Sequence, residues 1–302
     1  MKVILTGSSG LGRALSPALL RAGDQVQHLV RTPAVNGSDC FSWDPVEKRI
    51  NPKAFEDADV VVHLASENIA SGRWTTAQKS RILDSRVVGT RLISEAVAKL
   101  PRPPKALICA SAIGYYGNRG DEVLCEDSES GRGFLAEVCR EWERATAPAR
   151  TRSIHVVNLR FGMILSRQGG ALRKMLTPFR LGLGGVVSNG RQYWSWVTLN
   201  DVVRAIQFVM ANKTIQGAVN VVSLRPVTNR EFTRVLGEVL HRPTIFPMPA
   251  LVARALLGEM ADELLLASTR VLPKRLKAAG FTFEHANIET ALPAVLEQVK
   301  ES

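Results

Sequence analysis

The stretch Val3-Ile4-Leu5-Thr6-Gly7-Ser8-Ser9-Gly10-Leu11-Gly12-Arg13-Ala14-Leu15 decides the fold. Val3, Ile4 and Leu5 read as a short buried strand, and the glycine cluster turns the chain immediately after it. Leu11, Leu15, Ala18, Leu19 and Ala22 then recur at helical spacing until Gly23 stops the run. Strand, glycine turn and helix in that order have a physical use. Glycine lets the backbone turn tightly and approach a pyrophosphate, whose charge is stabilised by free N–H groups at the helix N-terminus. A merely tight turn needs one glycine, not three. The expected phosphate-side contacts are Thr6, Gly7, Ser8, Ser9, Gly10, Leu11 and Gly12.

A second strand over 26–30 ends at Arg31, with no Asp or Glu at its tip. An acidic residue there would bind a free ribose hydroxyl, whereas a basic one accommodates a 2′-phosphate. Arg31 therefore points to NADP(H) as the nucleotide. Further strands are expected over 60–65, 106–110 and 154–159, alternating with helices over 78–99, ended by Pro101, and 134–147. This alternation predicts an α/β fold, a Rossmann-type doubly wound parallel sheet. Beyond Gly162 the pattern changes to a glycine-rich stretch and the aromatic cluster Tyr193-Trp194-Ser195-Trp196. The expected division is a nucleotide domain over 1–165, with a return segment at about 197–222. Residues 166–196 and 223–302 then form a smaller C-terminal substrate lobe.

With 45% hydrophobic and 22% charged residues in 302, the chain has enough apolar surface to fold without disulfides or metals. Cys40, Cys109, Cys125 and Cys139 form no CxxC pair and have no histidines at zinc-ligand spacing, so they read as reduced thiols without a metal site. The N-terminus lacks the pattern of a secretory leader, and no apolar run approaches the length of a membrane span. A cytoplasmic protein, monomer or homodimer, is expected. The net charge of +11 favours an anionic small-molecule partner; the basic residues are scattered rather than clustered, which argues against nucleic acid.

Several motifs in combination are more specific: TGSSGLG, His63-Leu64-Ala65, Ser85-Arg86-Val87-Val88-Gly89-Thr90 and the residues 111–117. Added to them are Glu67-Asn68-Ile69, Arg73-Trp74, Phe179-Arg180-Leu181-Gly182-Leu183-Gly184-Gly185 and Pro273-Lys274-Arg275-Leu276. Over essentially its whole length the chain resembles the atypical epimerase-family branch of the extended short-chain dehydrogenase/reductase superfamily. That resemblance implies NADP(H) held by the glycine loop, Val30 and Arg31, Leu64 and Ala65, Arg81 and Arg86, and the strand end near Leu165. It also implies a substrate cleft between the lobes. Two features depart from the superfamily pattern. Only Leu11 separates Gly10 from Gly12, where two residues are usual. The Tyr-x-x-x-Lys pair that serves as general acid/base is missing from the expected helix, which reads Phe134-Leu135-Ala136-Glu137-Val138-Cys139.

The remaining candidates for chemistry are Ser111, where the superfamily hydroxyl would face the nicotinamide, and Arg86, where those enzymes usually carry Asn. Tyr115 and Tyr116 are candidate proton donors, with packing in the domain interface as the alternative. Cys139 reads as an inert packing residue near the lost lysine position. Tyr193, Trp194 and Trp196 are candidates for an apolar pocket wall, and Lys174, Arg180 and Arg191 for attracting an anion. His28 and His63 read as structural histidines and Asp201 as a helix cap. The function expected is an oxidoreductase or epimerase-like activity on a small carbonyl or sugar-nucleotide-like substrate. The alternative is a non-catalytic NADP(H) sensor, which the resemblance links to cell division.

Overall fold

Lys2–Thr6 (β1) lies inside an eight-stranded sheet completed by β2 (Gln25–Val30), β3 (Cys40–Asp44), β4 (Arg49–Ile50), β5 (Val60–His63), β6 (Ala106–Ala112), β7 (His155–Phe161) and β8 (Gly217–Val221). The computed structural model describes residues 1–7, 10–31 and 40–297. The strand order is β8-β7-β6-β5-β1-β2-β3-β4, parallel throughout except for the β3–β4 edge. The order reverses between β1 and β5, where Thr6 stands opposite His63. At such a reversal the connections leave in opposite directions and open a crevice at the carboxyl ends of the strands.

Among the described residues ten α-helices accompany the sheet: α1 (Leu11–Arg21), α2 (Thr76–Ala98), α3 (Phe134–Arg144), α4 (Ala147–Thr151), α5 (Gly170–Arg180), α6 (Leu199–Ala211), α7 (Asn229–Leu240), α8 (Ala250–Leu257), α9 (Lys274–Ala278) and α10 (Ile288–Glu297). Leu15 and Leu19 of α1 and Ile206 and Val209 of α6 cover one face against Val3, Leu5, Val60 and Val62. Ile93 and Val97 of α2 cover the other with Ile4, Val61 and Leu107. Alternate residues of β1 and β5 thus face opposite layers, as the two-residue period of a strand requires. Burying each such Leu or Ile contributes about 1.5–3 kcal/mol.

A second core, built from Trp194, Trp196, Phe232, Leu236 and Leu292, joins α5, α7 and α10. The C-terminal segment also crosses the expected lobe limit, for Leu276, Phe281 and Phe283 pack into the sheet's own core. Several expected elements differ in extent, among them the strand over 60–65, which stops at His63. The helix over 134–147 ends at Arg144, and α4 starts afresh with Pro148 in its first turn, where proline's missing N–H costs nothing. Strands β6 and β7 run on to Ala112 and Phe161 because Ser111 and Arg160 continue their ladder. Strands β3 and β4, which finish one side of the sheet, were not expected; Trp43 of β3 pairs with Ile50 of the two-residue edge strand β4. The helix at Asp201 is capped by Thr198, whose Oγ1 accepts the Asp201 N–H at 3.1 Å. The fully buried Asp201 carboxylate instead accepts the N–H groups of Glu284 and His285, which pins the C-terminal segment.

Candidate functional site

At the end of β1 the backbone makes room for something other than side chains. Gly7 has φ +90°, and a Cβ on Gly12 would lie 1.6 Å from the Gly7 carbonyl oxygen. Gly12 therefore performs the close helix–strand packing of the third glycine, although the loop before it is one residue short. Gly10, at φ +53°, is exposed and precedes α1, with open space where its Cβ would be. Among the described residues no side chain caps α1 and no acidic residue occupies its first turn. A helix N-terminus of this kind offers its free N–H groups to an anion. Ser8 and Ser9 lie outside the described residues.

Thr6 is wholly buried, so its side chain positions the site rather than lining it. Its Oγ1 accepts the N–H groups of Leu64 (3.1 Å) and Ala65 (3.3 Å), leaving its hydroxyl to donate to His63 Nδ1 at 2.6 Å. Three hydrogen bonds on one oxygen bring the half-buried Leu64 and Ala65 beside Gly7. His63 is structural, as its partner shows, and burial pushes it down to about 4. Arg31 is exposed and Val30 half-buried at the end of β2. Exposed Arg81 is held by the Gln78 Oε1 atom on α2.

Two expected contacts are placed elsewhere. Leu165 is fully buried in the second core, so its side chain has no route to a nucleotide. Arg86 is buried against Trp142, its guanidinium 5.0 Å from the ring, and donates to the carbonyls of Ile82 and Glu67 at 3.0 Å each. Burial pushes it down to about 10. These bonds tie the segment after β5 to α2, and Arg86 acts there as a positioning residue.

Ser111, Tyr115 and Tyr116 do come together, around two residues the sequence reading missed. Ser111 Oγ donates to Glu143 Oε1 at 2.8 Å, and Glu143 grips Arg160 through both oxygens, at 2.7 and 2.8 Å. The Arg160 guanidinium lies 3.4 Å from the centre of the Tyr115 ring and donates to the Tyr116 hydroxyl at 2.9 Å. Although burial opposes its charge, the Glu143 contacts hold Arg160 above its ordinary value. A charge inside the apolar run Val156 to Phe161 was the available signal, since an arginine at a buried strand position demands an acidic partner.

This cluster corrects the proton-donor assignment at Tyr116. Its side chain is fully buried, its hydroxyl donates to the Cys125 carbonyl or Asn220 Oδ1, and burial pushes it up to about 12. Ser111 is 2% exposed with its proton committed to Glu143. Tyr115 alone of the three remains half-buried. Cys139, beneath them, is buried and pushed up to about 12, which leaves it an unreactive thiol.

Beyond the end of β6, a cavity of about 460 Å³ opens between the lobes. Gly114 and Gly117 line it from the sheet side, Arg191, Gln192, Glu263 and Ser268 from the other. Arg191 and Arg132 reach it without a carboxylate partner among the described residues, whereas Arg254 is paired with Asp262 at 2.9 Å. Lys174 and Arg180 do not line it: the Lys174 ammonium donates to the Ala70 carbonyl, and the Arg180 backbone carbonyl accepts from Arg242 Nε at 2.9 Å. Trp194 and Trp196 belong to the second core, and Tyr193 stacks under Arg270. Among the described residues the cavity wall therefore carries no aromatic side chain.

The profile for the NAD dependent epimerase/dehydratase family matches residues 3–222, and a domain of unknown function matches 248–295. The chain belongs to that epimerase family. It is 44% identical over 291 residues to Epimerase family protein Mb2239 of Mycobacterium bovis, covering 96% of each chain. It is 33% identical over 304 residues to Epimerase family protein YfhF of Bacillus subtilis, covering 99% of each. The crystal structure of human epimerase family protein SDR39U1 with NADPH superposes with a TM-score of 0.90 at 30% identity, covering 99% of this chain and 100% of the human one. The segment matched by the C-terminal domain of unknown function contributes α8, Glu263 and Ser268, part of the far wall of the cavity.

Proposed function

We propose that this chain is an NADP(H)-dependent oxidoreductase or epimerase-like enzyme acting on a small carbonyl or sugar-nucleotide-like substrate held in the inter-lobe cavity. The observation that carries the reading is the N-terminus of α1, which no side chain caps among the described residues, beside the glycines Gly7, Gly10 and Gly12. Such a donor set fits a pyrophosphate. The related human protein crystallised with NADPH supports the choice of nucleotide. In this reading Leu64 and Ala65 flank the nucleotide, and Arg31 approaches its 2′-phosphate. When bound, the nicotinamide supplies or accepts a hydride; the chain's own residues orient it and move the proton. The +11 net charge would aid capture of an anionic cofactor.

A second reading, an NADP(H) sensor without turnover, is favoured by the buried and committed state of Ser111, Tyr116 and Arg86. Calorimetric titration with NADPH and NADH, in the wild type and Arg31→Asp, tests the shared premise. NADPH binding at least tenfold tighter than NADH, lost in Arg31→Asp, is expected. Equal binding of both nucleotides would overturn the NADP(H) assignment. Oxidation of NADPH by a panel of carbonyl compounds then separates enzyme from sensor.

A further inference from the structure

We propose that Glu263 is the proton-transferring residue of the inter-lobe cavity, supplied by the second lobe in place of the tyrosine that α3 lacks. The proposal rests on the reading of the chain as an NADP(H)-dependent oxidoreductase or epimerase-like enzyme. Hydride transfer to or from a carbonyl carbon requires a proton to move at the oxygen. Ser111, Tyr115 and Tyr116 do not line the cavity, and two of the three are sealed in the interior. Glu263 does line it, in company with Gly114 and Gly117 from the turn that follows Ser111.

The placement of its carboxyl is specific. Glu263 Oε1 accepts the Phe134 N–H and Oε2 the Leu135 N–H, each at 3.2 Å. Each oxygen keeps a second lone pair. With Cys139 near the lost lysine position, the tyrosine of a Tyr-x-x-x-Lys pair would stand at Leu135, four residues earlier. The carboxyl thus lands on the turn of α3 from which that phenol would project. Gly133, at φ +106°, makes the approach possible, for a Cβ there would lie 2.2 Å from Glu263 Oε1. Glu263 itself stands on a π-helical turn, Ala261–Leu266, an unfavourable backbone form that often marks functional positions.

The electrostatics agree with a carboxyl able to hold a proton. Burial holds Glu263 above the ordinary carboxylate range, the Leu135 and Phe134 N–H groups oppose this, Glu259 adds to it and Lys79 opposes it. Arg132 lines the same cavity, Lys79 is paired with Glu259 at 2.8 Å, and Asp262 is neutralised by Arg254. In the reducing direction the carbonyl carbon gains the hydride of a reduced nicotinamide and the carbonyl oxygen takes the Glu263 proton. An alcohol and a Glu263 carboxylate result, and the carboxylate regains its proton from water. Oxidation breaks and forms the same bonds in reverse.

The test needs no substrate. In protein with isotope-labelled glutamate carboxyl carbons, the resonance absent from Glu263→Gln belongs to Glu263, and its titration is followed by NMR with NADPH or NADP+ at saturation. The variant's amide oxygen can still accept an α3 N–H, and calorimetry confirms that both proteins bind nucleotide. The oxidised nicotinamide ring carries a positive charge that the reduced ring lacks, so a carboxyl beside it titrates about one unit lower with NADP+ than with NADPH. Identical titrations with both nucleotides bound would overturn the role of Glu263 and leave the cofactor reading standing. Failure of either nucleotide to bind would instead overturn the cofactor reading, and the proposal with it.

Discussion

Gly12→Ala attacks the point where the proposed nucleotide cradle and the fold depend on the same few atoms. The new Cβ would lie 1.6 Å from the Gly7 carbonyl oxygen and 2.9 Å from its carbon, where contacts under 3.0 Å are essentially never found. The start of α1 must therefore move away from β1 by about 1.4 Å, because both obstructing atoms are backbone and neither can rotate aside. Overpacking of this kind costs about 1–3 kcal/mol. Thermal unfolding followed by circular dichroism should show a midpoint lower by on the order of 5 °C, taking roughly 2–4 °C per kcal/mol for a large domain. Moving the N–H groups of α1 should also weaken NADPH by about tenfold or more in calorimetric titration, since 1.4 kcal/mol is a factor of ten. Gly72→Ala is the control. Its Cβ meets nothing within 4 Å and its φ is not positive, so no cost beyond a few tenths of a kcal/mol is expected, about the size of an ordinary surface substitution. A Gly12→Ala protein with unchanged midpoint and unchanged NADPH affinity would refute the packing argument, and one harmed no more than Gly72→Ala would refute its steric basis.

His63 is neutral in the folded protein and pushed down to about 4, so its contribution is complete above its ordinary value of 6.5 and is lost as pH falls toward 4. The urea midpoint should drop across that window by on the order of 3 kcal/mol of stability more in the wild type than in His63→Asn; parallel pH profiles would contradict the assignment. Glu143→Leu strands the Arg160 guanidinium, which is 4% exposed, and should cost about 3–5 kcal/mol in urea unfolding, whereas a loss under 1 kcal/mol would mean that Arg160 finds water. Among the thiols, partly exposed Cys40 and Cys125 should react with a disulfide reagent before denaturation, and buried Cys109 and Cys139 only after it. Four equally fast thiols, counted by mass spectrometry, would refute the burial pattern.

The parallel sheet, the glycine cradle and the order of the first helices were legible because they depend on local causes. Continuous apolar runs such as Val60 to Val62 specify strands buried on both faces, glycines permit the turn after β1, and Leu15 and Leu19 recur at helical spacing. What the helix over 134–147 lacked, the Tyr-x-x-x-Lys pair, was equally plain in the letters. Only the tertiary structure decided which polar residues are available for chemistry. Tyr115 and Tyr116 are neighbours in sequence, yet one is half-buried and the other sealed, because the fate of a hydroxyl depends on Arg160, Asn220 and Cys125, which arrive from other elements. Glu263 carried no signal for the same reason: its meaning comes from Phe134 and Leu135, more than a hundred positions away. Secondary structure follows from interactions between near neighbours, whereas the burial and protonation of a side chain follow from whatever the fold packs around it.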